Sequence, residues 1–420
     1  MKHGKKLNAL KIPEANLRDW TMFIILFFPI SSMLKVYIGP LNVLLTGITF
    51  IMFFLTYLKN RITRLELLFL IYTVITLIYN IFLWGLEYYE DNMLFYFPFL
   101  LLYFGFCIRN SEYIIPFIRN HKQYLDTILL LWNGLVLISF ILPGSYVYEG
   151  ETRGFVSFAG TTFLLCAMAV YVFALLMVQY YLYKQRVYVF GLIIPSLCIL
   201  MGTTRTYLVV LLCAWLVFLY INMKNKKWFV PAMAFGLLAF VLIVMVSPIS
   251  EKFISAGNRS ESLGMDPIEA FTSGRSLFWA YDMQSILSNS PIKIIFGNGV
   301  NWLFNLNRER FHNPLWAHND YIQILSDYGA IGLSIYLWCI KRIINCFLKR
   351  KNISKILVGI LIVMWAFNAF FNMFYTYFCA TLSFPFYLAI VNYDAKQYQF
   401  LYTIKPEYKL VMSIERTGDD

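Results

Sequence analysis

The chain has 420 residues, of which 60% are hydrophobic and 14% are charged, and its formal net charge is +12. Soluble domains carry about 25% charged residues, so this composition excludes an ordinary soluble protein. Apolar runs of membrane-spanning length recur from end to end. The positive net charge is therefore interpreted as a sign of membrane topology, and no nucleic-acid partner is predicted.

Twelve apolar segments are predicted to cross the membrane, because each approaches the ~20 residues that span ~30 Å of hydrocarbon. The first has no small-residue cleavage site and is followed by further spans, which indicates an anchor and not a removable signal peptide. In chain order the predicted spans are 20–37, 38–58, 65–86, 93–108, 124–142, 155–182, 188–203, 206–222, 228–248, 320–340, 355–373 and 375–391.

The basic residues test this count independently. With twelve spans and a cytoplasmic N-terminus, 26 of the 35 lysines and arginines fall in cytoplasmic segments, which is the bias of the positive-inside rule. We therefore predict an all-α polytopic membrane protein with both termini in the cytoplasm. Residues 1–420 form a single integral membrane domain, and residues 249–319 form a large extracytoplasmic loop between helices 9 and 10.

Two local structures are predicted inside this loop. Ser273 is a favourable N-cap residue for an amphipathic helix that begins near Arg275. The paired glycines Gly297 and Gly299 suggest a tight backbone turn further along.

The helix after the loop has its own start signal. Asn319 is expected to cap it, with Asp320 in the positively polarised first turn. Gly329 and Gly332 then allow close packing or a bend.

Cysteine and histidine spacing argues against a metal or disulfide framework. The seven cysteines lie in or beside predicted spans and none lies in the external loop, so no disulfide is predicted there. His312 and His318 are six residues apart, without another histidine or a cysteine nearby, and this does not fit metal-ligand spacing. We predict no metal and no cofactor.

Three arginines on the predicted outer face could bind phosphate, because a guanidinium offers bidentate donors and stays charged. They are Arg153, Arg205 and Arg275. Each has a structural alternative. Arg205 could reach the membrane interface or pair with a helix-end carbonyl. Arg153 could form a salt bridge with a neighbouring glutamate, and Arg275 could be a solvated surface residue.

His318 is the candidate for proton transfer, because imidazole exchanges a proton near neutral pH and suits a general base acting on a sugar hydroxyl. A purely structural histidine is the alternative, and His312 is the competing candidate. Asp320 and Asp327 are seven residues apart and share a helix face. Either could orient the imidazole, or Asp320 could only complement the helix dipole.

Five short motifs lie between residues 150 and 340. They are Arg153-Gly154, Thr203-Thr204-Arg205-Thr206, Ser273-Gly274-Arg275 with Trp279, Gly297-Asn298-Gly299, and His318-Asn319-Asp320-Tyr321-Ile322-Gln323 with Gly329 and Gly332. Together they resemble the signature of the O-antigen polymerase and O-antigen ligase superfamily. The segment 155–161 departs from it, because many relatives have an Asn-Pro pair there.

The resemblance implies metal-independent, inverting glycosyl transfer at the outer face of the bacterial cytoplasmic membrane. The donor and acceptor would be glycans linked to undecaprenyl diphosphate, and a chain-length regulator protein is a possible partner beside membrane lipids. By match of position, Arg205 and Arg275, together with Arg153, would bind the diphosphate, and His318 would activate the acceptor hydroxyl. Apart from the resemblance, their positions on the helix that follows predict Asn319, Asp320 and Asp327 as supporting residues.

Three functions are weighed on this basis. The first is a polymerase that joins lipid-linked repeat units into O-antigen or capsular polysaccharide. The second is a ligase that transfers the glycan to lipid A–core or another acceptor. A lipid-linked oligosaccharide flippase is the third, but transporters place charges near the membrane midplane and need no large external loop, whereas the ionisable residues here collect at the outer face.

Overall fold

The computed structural model describes residues 16–59, 64–84, 93–149, 152–255, 266, 269, 272, 274–312, 314–348 and 354–392. The predicted cytoplasmic termini lie outside these residues, as does 256–265 of the predicted external loop. The helices are α1 Leu17–Met33, α2 Gly39–Lys59, α3 Arg64–Trp84, α4 Met93–Arg109, α5 Ile114–Asn120, α6 Lys122–Ser139, α7 Thr162–Tyr183, α8 Arg186–Gly191, α9 Ile193–Met201, α10 Arg205–Asn222, α11 Phe229–Val246, α12 Arg275–Leu287, α13 Pro291–Phe296, α14 Trp302–Phe311, α15 Asp320–Phe347, α16 Lys355–Phe371 and α17 Phe378–Asn392.

The protein is an all-α polytopic membrane protein with one small hairpin, in which β1 (Tyr146–Glu149) pairs antiparallel with β2 (Thr152–Phe155). Within the described ranges, five helical segments are long and apolar enough to cross a membrane, or six if α4 and α5, bent by 80°, form one span. The five are Gly39–Thr56, Thr162–Tyr183, Arg205–Asn222, Lys226–Val246 and Asp320–Phe347. The count of twelve spans and the loop between helices 9 and 10 stay predictions.

Two predicted spans differ from the structure in an informative way. The span expected at 155–182 begins at Thr162, because the preceding residues form β2 and a turn with positive φ at Ser157 and Gly160. Thr161 caps α7 by accepting a hydrogen bond from the backbone N–H of Leu164. The short span expected at 188–203 is divided between α8 and α9. Hydropathy alone does not detect such turns.

The core is built around α7, which is almost wholly buried and packs against α17, α9 and α10. Helix α11 is almost wholly exposed and strongly apolar, so we assign its surface to lipid.

Helix α15 is interrupted at Gly329, whose φ of 68° and ψ of −172° are not helical. The turn 297–299 fits into this break. Its Asn298 N–H donates to the carbonyl of Ser326 at 2.7 Å, and its Gly299 N–H donates to the carbonyl of Asp327 at 3.2 Å. The predicted turn and the predicted bend are thus both confirmed, and they fit each other.

A break in a membrane helix leaves carbonyls without their helical donors, and each such carbonyl costs several kcal/mol unless another donor replaces the lost one. The turn 297–299 provides two of these donors. The next carbonyl, that of Tyr328, accepts from the hydroxyl of Tyr72 at 2.5 Å. Asn80 of the same helix α3 accepts from the backbone N–H of Val300 at 2.7 Å. Side chains of α3 therefore hold both the break and the turn.

Candidate active site

His318 lies directly before the capped start of α15. It has φ of 49°, an uncommon value for a residue with a side chain. Asn319 follows, and its side chain accepts hydrogen bonds from the backbone N–H groups of Tyr321 and Ile322 at 3.0 and 3.1 Å. The predicted Asn319 cap is confirmed, and it fixes the residue at which α15 begins, directly after His318.

The peptide before His318 is held on both sides. The indole N–H of Trp279 in α12 donates to the carbonyl of Ala317 at 2.6 Å. The backbone N–H of Ala317 donates to Oε1 of Gln323 at 3.0 Å. The amide of Gln323 donates in turn to both carboxylate oxygens of Asp327, at 2.9 and 3.0 Å. Asp327 therefore helps to position the backbone next to His318, because it orients the side chain of Gln323.

Arg275 is the charge that faces His318. Its Nη1 donates to the carbonyl of Phe371 at 3.0 Å, so the guanidinium is held where α12 begins and α16 ends. The Nδ1 atom of His318 is buried and has no hydrogen-bond partner among the described residues. Burial and, second, the positive charge of Arg275 lower the pKa of His318 to about 3. Burial also lowers the pKa of Arg275.

One prediction about α12 needs correction. The N-cap residue is Gly274, with φ of 81° and no side chain to accept a hydrogen bond. The side-chain cap comes from Thr272, whose Oγ1 accepts from the backbone N–H of Ser276 at 3.1 Å; Ser273 itself lies outside the described residues. A glycine at this position adopts positive φ without strain. The start of α12, beside Arg275, is therefore capped by Thr272.

The first testable consequence concerns pH. A lowered pKa means that the imidazole is neutral, and able to accept a proton, at every pH above its pKa. For the glycosyl transfer that the resemblance implies, we therefore expect kcat/KM to show no acid limb from His318 between about pH 5 and 8, since kcat/KM reports the pKa values of the free enzyme. A pH–rate profile of the purified protein measures this.

Asp282 provides the control for that profile. It is buried on the same face of α12 as Trp279, and burial raises its pKa to about 7, against the opposing effects of Asn307 and Arg310. An inflection near pH 7 that disappears in Asp282→Asn belongs to Asp282. An inflection that persists in this variant would contradict a neutral His318.

Arg205 is the first residue of α10, directly after Thr203 and Thr204. Thr203 has φ of 54°, a strained value for a β-branched residue. The guanidinium carbon lies 5.9 Å from the ring centre of Phe253. Two residues on, Tyr207 is within electrostatic range of Asp320, the first residue of α15.

Arg153 lies on β2, exposed, with its guanidinium carbon 4.3 Å from the ring centre of Tyr146. The next residue packs closely against the turn before Arg205. A Cβ atom on Gly154 would lie 3.2 Å from Oγ1 of Thr203 and 2.7 Å from Cγ2 of Thr162. The hairpin thus reaches the same end of the bundle, but the described residues show no hydrogen bond between Arg153 and His318.

Asp320 has structural partners of its own. Its Oδ2 accepts from the hydroxyl of Tyr336 at 2.6 Å, and its Oδ1 accepts from the backbone N–H of Tyr375 at 3.4 Å. Within the described part of the chain, no hydrogen bond joins Asp320 or Asp327 to the imidazole of His318. The expectation that one of them orients the ring directly therefore finds no support in these contacts.

The segment 371–377, between α16 and α17, was not anticipated as part of the site. Phe371 provides the carbonyl that holds Arg275, and Tyr377 lies within electrostatic range of the same guanidinium. The available signal was a pair of polar residues, Asn372 and Thr376, at the junction between two apolar runs. Its position beside Arg275 depends on a contact almost 100 residues apart in the chain.

Among the described residues, no group of three or more His, Cys, Asp or Glu side chains could hold a metal ion. The seven cysteines are free. Residues 190–337 match the model of a protein family described as O-Antigen ligase. The matched range extends from α8 into α15 and includes Arg205, Arg275 and His318, but not Arg153. The search of curated proteins found no match to the chain.

Proposed function

We propose that this chain belongs to the O-antigen polymerase and ligase superfamily and transfers a glycan from a lipid diphosphate to a hydroxyl group, which the match of residues 190–337 to a family model described as O-Antigen ligase supports. The transfer takes place at the outer face of the bacterial cytoplasmic membrane, with residues 249–319 outside the cytoplasm. The donor lipid in this proposal is undecaprenyl diphosphate. The observation that carries the proposal is the buried Nδ1 atom of His318, which has no hydrogen-bond partner among the described residues, within electrostatic range of the half-buried Arg275.

The reaction is a single displacement. The acceptor oxygen forms a bond to the anomeric carbon as the bond from that carbon to the diphosphate oxygen breaks, and the configuration inverts. The hydroxyl proton goes to His318, and the electron pair leaves with the diphosphate. Arg275, Arg205 and Arg153 stabilise the charge that develops there, and in this proposal no metal is needed.

The low pKa of His318 in the free protein is consistent with this role. Burial and the positive charge of Arg275 lower the pKa of the imidazole. A diphosphate bound at Arg275 brings negative charge beside the imidazole and raises its proton affinity. The base is thus neutral before the donor binds, and it becomes stronger once the leaving group is in place.

The first candidate acceptor is the next lipid-linked repeat unit, which makes the protein a polysaccharide polymerase. The second candidate is lipid A–core or another final acceptor, which makes it a ligase; the matched family model supports both readings equally. A polymerase could also work with a chain-length regulator protein. The chemistry at His318 is the same for both acceptors.

The deciding experiment is the banding pattern of surface polysaccharide in a deletion strain, complemented with the wild-type gene or with His318→Ala. Single repeat units on the final acceptor indicate a polymerase. Loss of all attached glycan, with full-length chains on the carrier lipid, indicates a ligase. Lipid-linked units that accumulate on the cytoplasmic side would contradict both and indicate a flippase.

Arg205 provides a second test of the anion site. We expect Arg205→Lys to lower transfer nearly as much as Arg205→Ala, by about 10²-fold, because lysine cannot replace two parallel donors to one phosphate. Initial rates with a purified lipid-linked donor measure the effect. Arg308→Lys is the matched control, since Arg308 is exposed and donates to Asn305. Full activity of Arg205→Lys would mean that a simple positive charge suffices.

A further inference from the structure

A polar cleft of about 430 Å³ lies in the segment predicted to be external, away from the face of α12 that carries Trp279 and Asp282. It is formed between the second half of α12 and the end of α14. Its walls are Tyr281, Gln284, Ser285, Ser288, Arg310 and Phe311. No step of the proposed transfer uses these residues.

The cleft combines aromatic rings with hydrogen-bonding groups. Phe311 is in edge contact with Phe278 at 4.5 Å and is tilted against Tyr281 at 5.5 Å between ring centres. Arg310 lies with its guanidinium carbon 5.4 Å from the ring centre of Tyr281 and donates to Oγ of Ser285 at 3.3 Å. The aromatic platform is therefore fixed, and a charged donor is held at its edge.

This combination suits a sugar better than a lipid or a peptide. The C–H face of a pyranose stacks on aromatic rings, and its hydroxyl groups need a dense set of donors and acceptors, which hydroxyl, amide and guanidinium groups provide. A lipid tail would require an apolar lining. Arg310 further favours a sugar with a carboxylate or several hydroxyl groups.

The cleft is also connected to the candidate active site. The row Arg275, Phe278 and Tyr281 follows the i, i+3 ridge of α12, and at 1.5 Å per residue Tyr281 lies roughly 9 Å along the axis from Arg275. A glycan whose diphosphate is bound at Arg275 could follow this ridge, so that sugars beyond the reacting unit reach the cleft.

We propose that the cleft between α12 and α14 binds the polysaccharide chain, a few sugar units away from the reacting end. This inference rests on the proposed glycan transfer, which it extends by assigning a site that retains the chain between transfers. Loss of the site shortens the product chains.

The test is a binding measurement on the full-length protein in lipid nanodiscs. The probe is delipidated, size-fractionated surface polysaccharide released from the host by mild acid. We expect Tyr281→Ala and Arg310→Ala each to weaken the Kd by about three- to tenfold, the range for an aromatic contact or a charged hydrogen bond. Leu287→Ala, on another and exposed face of α12, controls for folding and should bind as the wild type does.

The outcomes separate this inference from the proposed function. If the wild type does not bind the probe, or if all variants bind equally, the cleft is not a glycan site. Shorter chains in a Tyr281→Ala strain without any change in Kd would indicate a protein partner at the cleft, and would also overturn the proposal. A deletion strain with normal polysaccharide would refute the glycan transfer itself, whatever the cleft binds.

Discussion

Replacing His318 with alanine is expected to lower glycan transfer by about 10²–10⁴-fold, the usual contribution of a general base, while the protein remains folded in the membrane. The reason is local. The backbone around His318 is held by Trp279, Gln323 and Asn319, none of which bonds the imidazole. Initial rates with a purified lipid-linked donor and acceptor, quantified by mass spectrometry, measure the loss.

The backbone conformation at His318 calls for a second variant. Because φ is 49° there, alanine adds strain that asparagine tolerates better. His318→Asn should therefore be as inactive as His318→Ala but at least as stable. The matched control is His312→Asn, since His312 is exposed and has φ of 52°; it should retain wild-type rates. Near-normal transfer by both His318 variants would remove this residue from the base role.

Local signals in the sequence were sufficient for the parts of the site that depend on neighbouring residues. Asn319 was recognised as a cap because Asn has a strong preference for that position. The turn at Gly297 and Gly299 followed from the paired glycines. At Gly329 the sequence allowed close packing or a bend, and the structure has a break in the helix there. The twelve apolar runs all overlap helices of the structure, although only some are long enough to pass as spans by themselves.

Contacts between distant parts of the chain could not be predicted in the same way. Nothing local indicates that the carbonyl of Phe371 accepts a hydrogen bond from Arg275. Nor does it indicate that Asp327 accepts from Gln323, whose side chain in turn accepts from the backbone N–H of Ala317. Asp327 looked like a partner for the imidazole because seven residues separate it from Asp320, but its orientation depends on the packing of α15. Helix periodicity gives the face of a helix and not the neighbour that covers it.

Gly329→Ala is expected to cost at least about 3 kcal/mol, a large share of the ~5–15 kcal/mol that stabilises a typical protein. The φ and ψ of Gly329 lie in a region that is essentially restricted to glycine. A Cβ atom there would lie 2.2 Å from the carbonyl oxygen of Ile295. That neighbour is backbone, so no flexible side chain can move away, and the turn 297–299 must separate from α15.

Fluorescence-detected size-exclusion chromatography of a tagged protein, before and after heating, measures the effect. Gly297→Ala should behave like Gly329→Ala, because its Cβ would lie 2.3 Å from the carbonyl oxygen of Asp327. Gly359→Ala in α16 is the control, since a Cβ there meets nothing within 4 Å; it should match the wild type. A Gly329→Ala protein with wild-type thermal stability would contradict the tight fit of the turn in the break.

The Gly329→Ala substitution is also expected to affect activity. Gly329 lies two residues after Asp327, which holds the amide of Gln323 and, through it, the peptide before His318. If the turn 297–299 separates from the break, the carbonyls of Ser326 and Asp327 lose their donors, and the first turns of α15 must shift to find others. Any Gly329→Ala protein that still folds should therefore transfer glycan more slowly than Gly359→Ala, although the substitution leaves His318 and the three arginines unchanged.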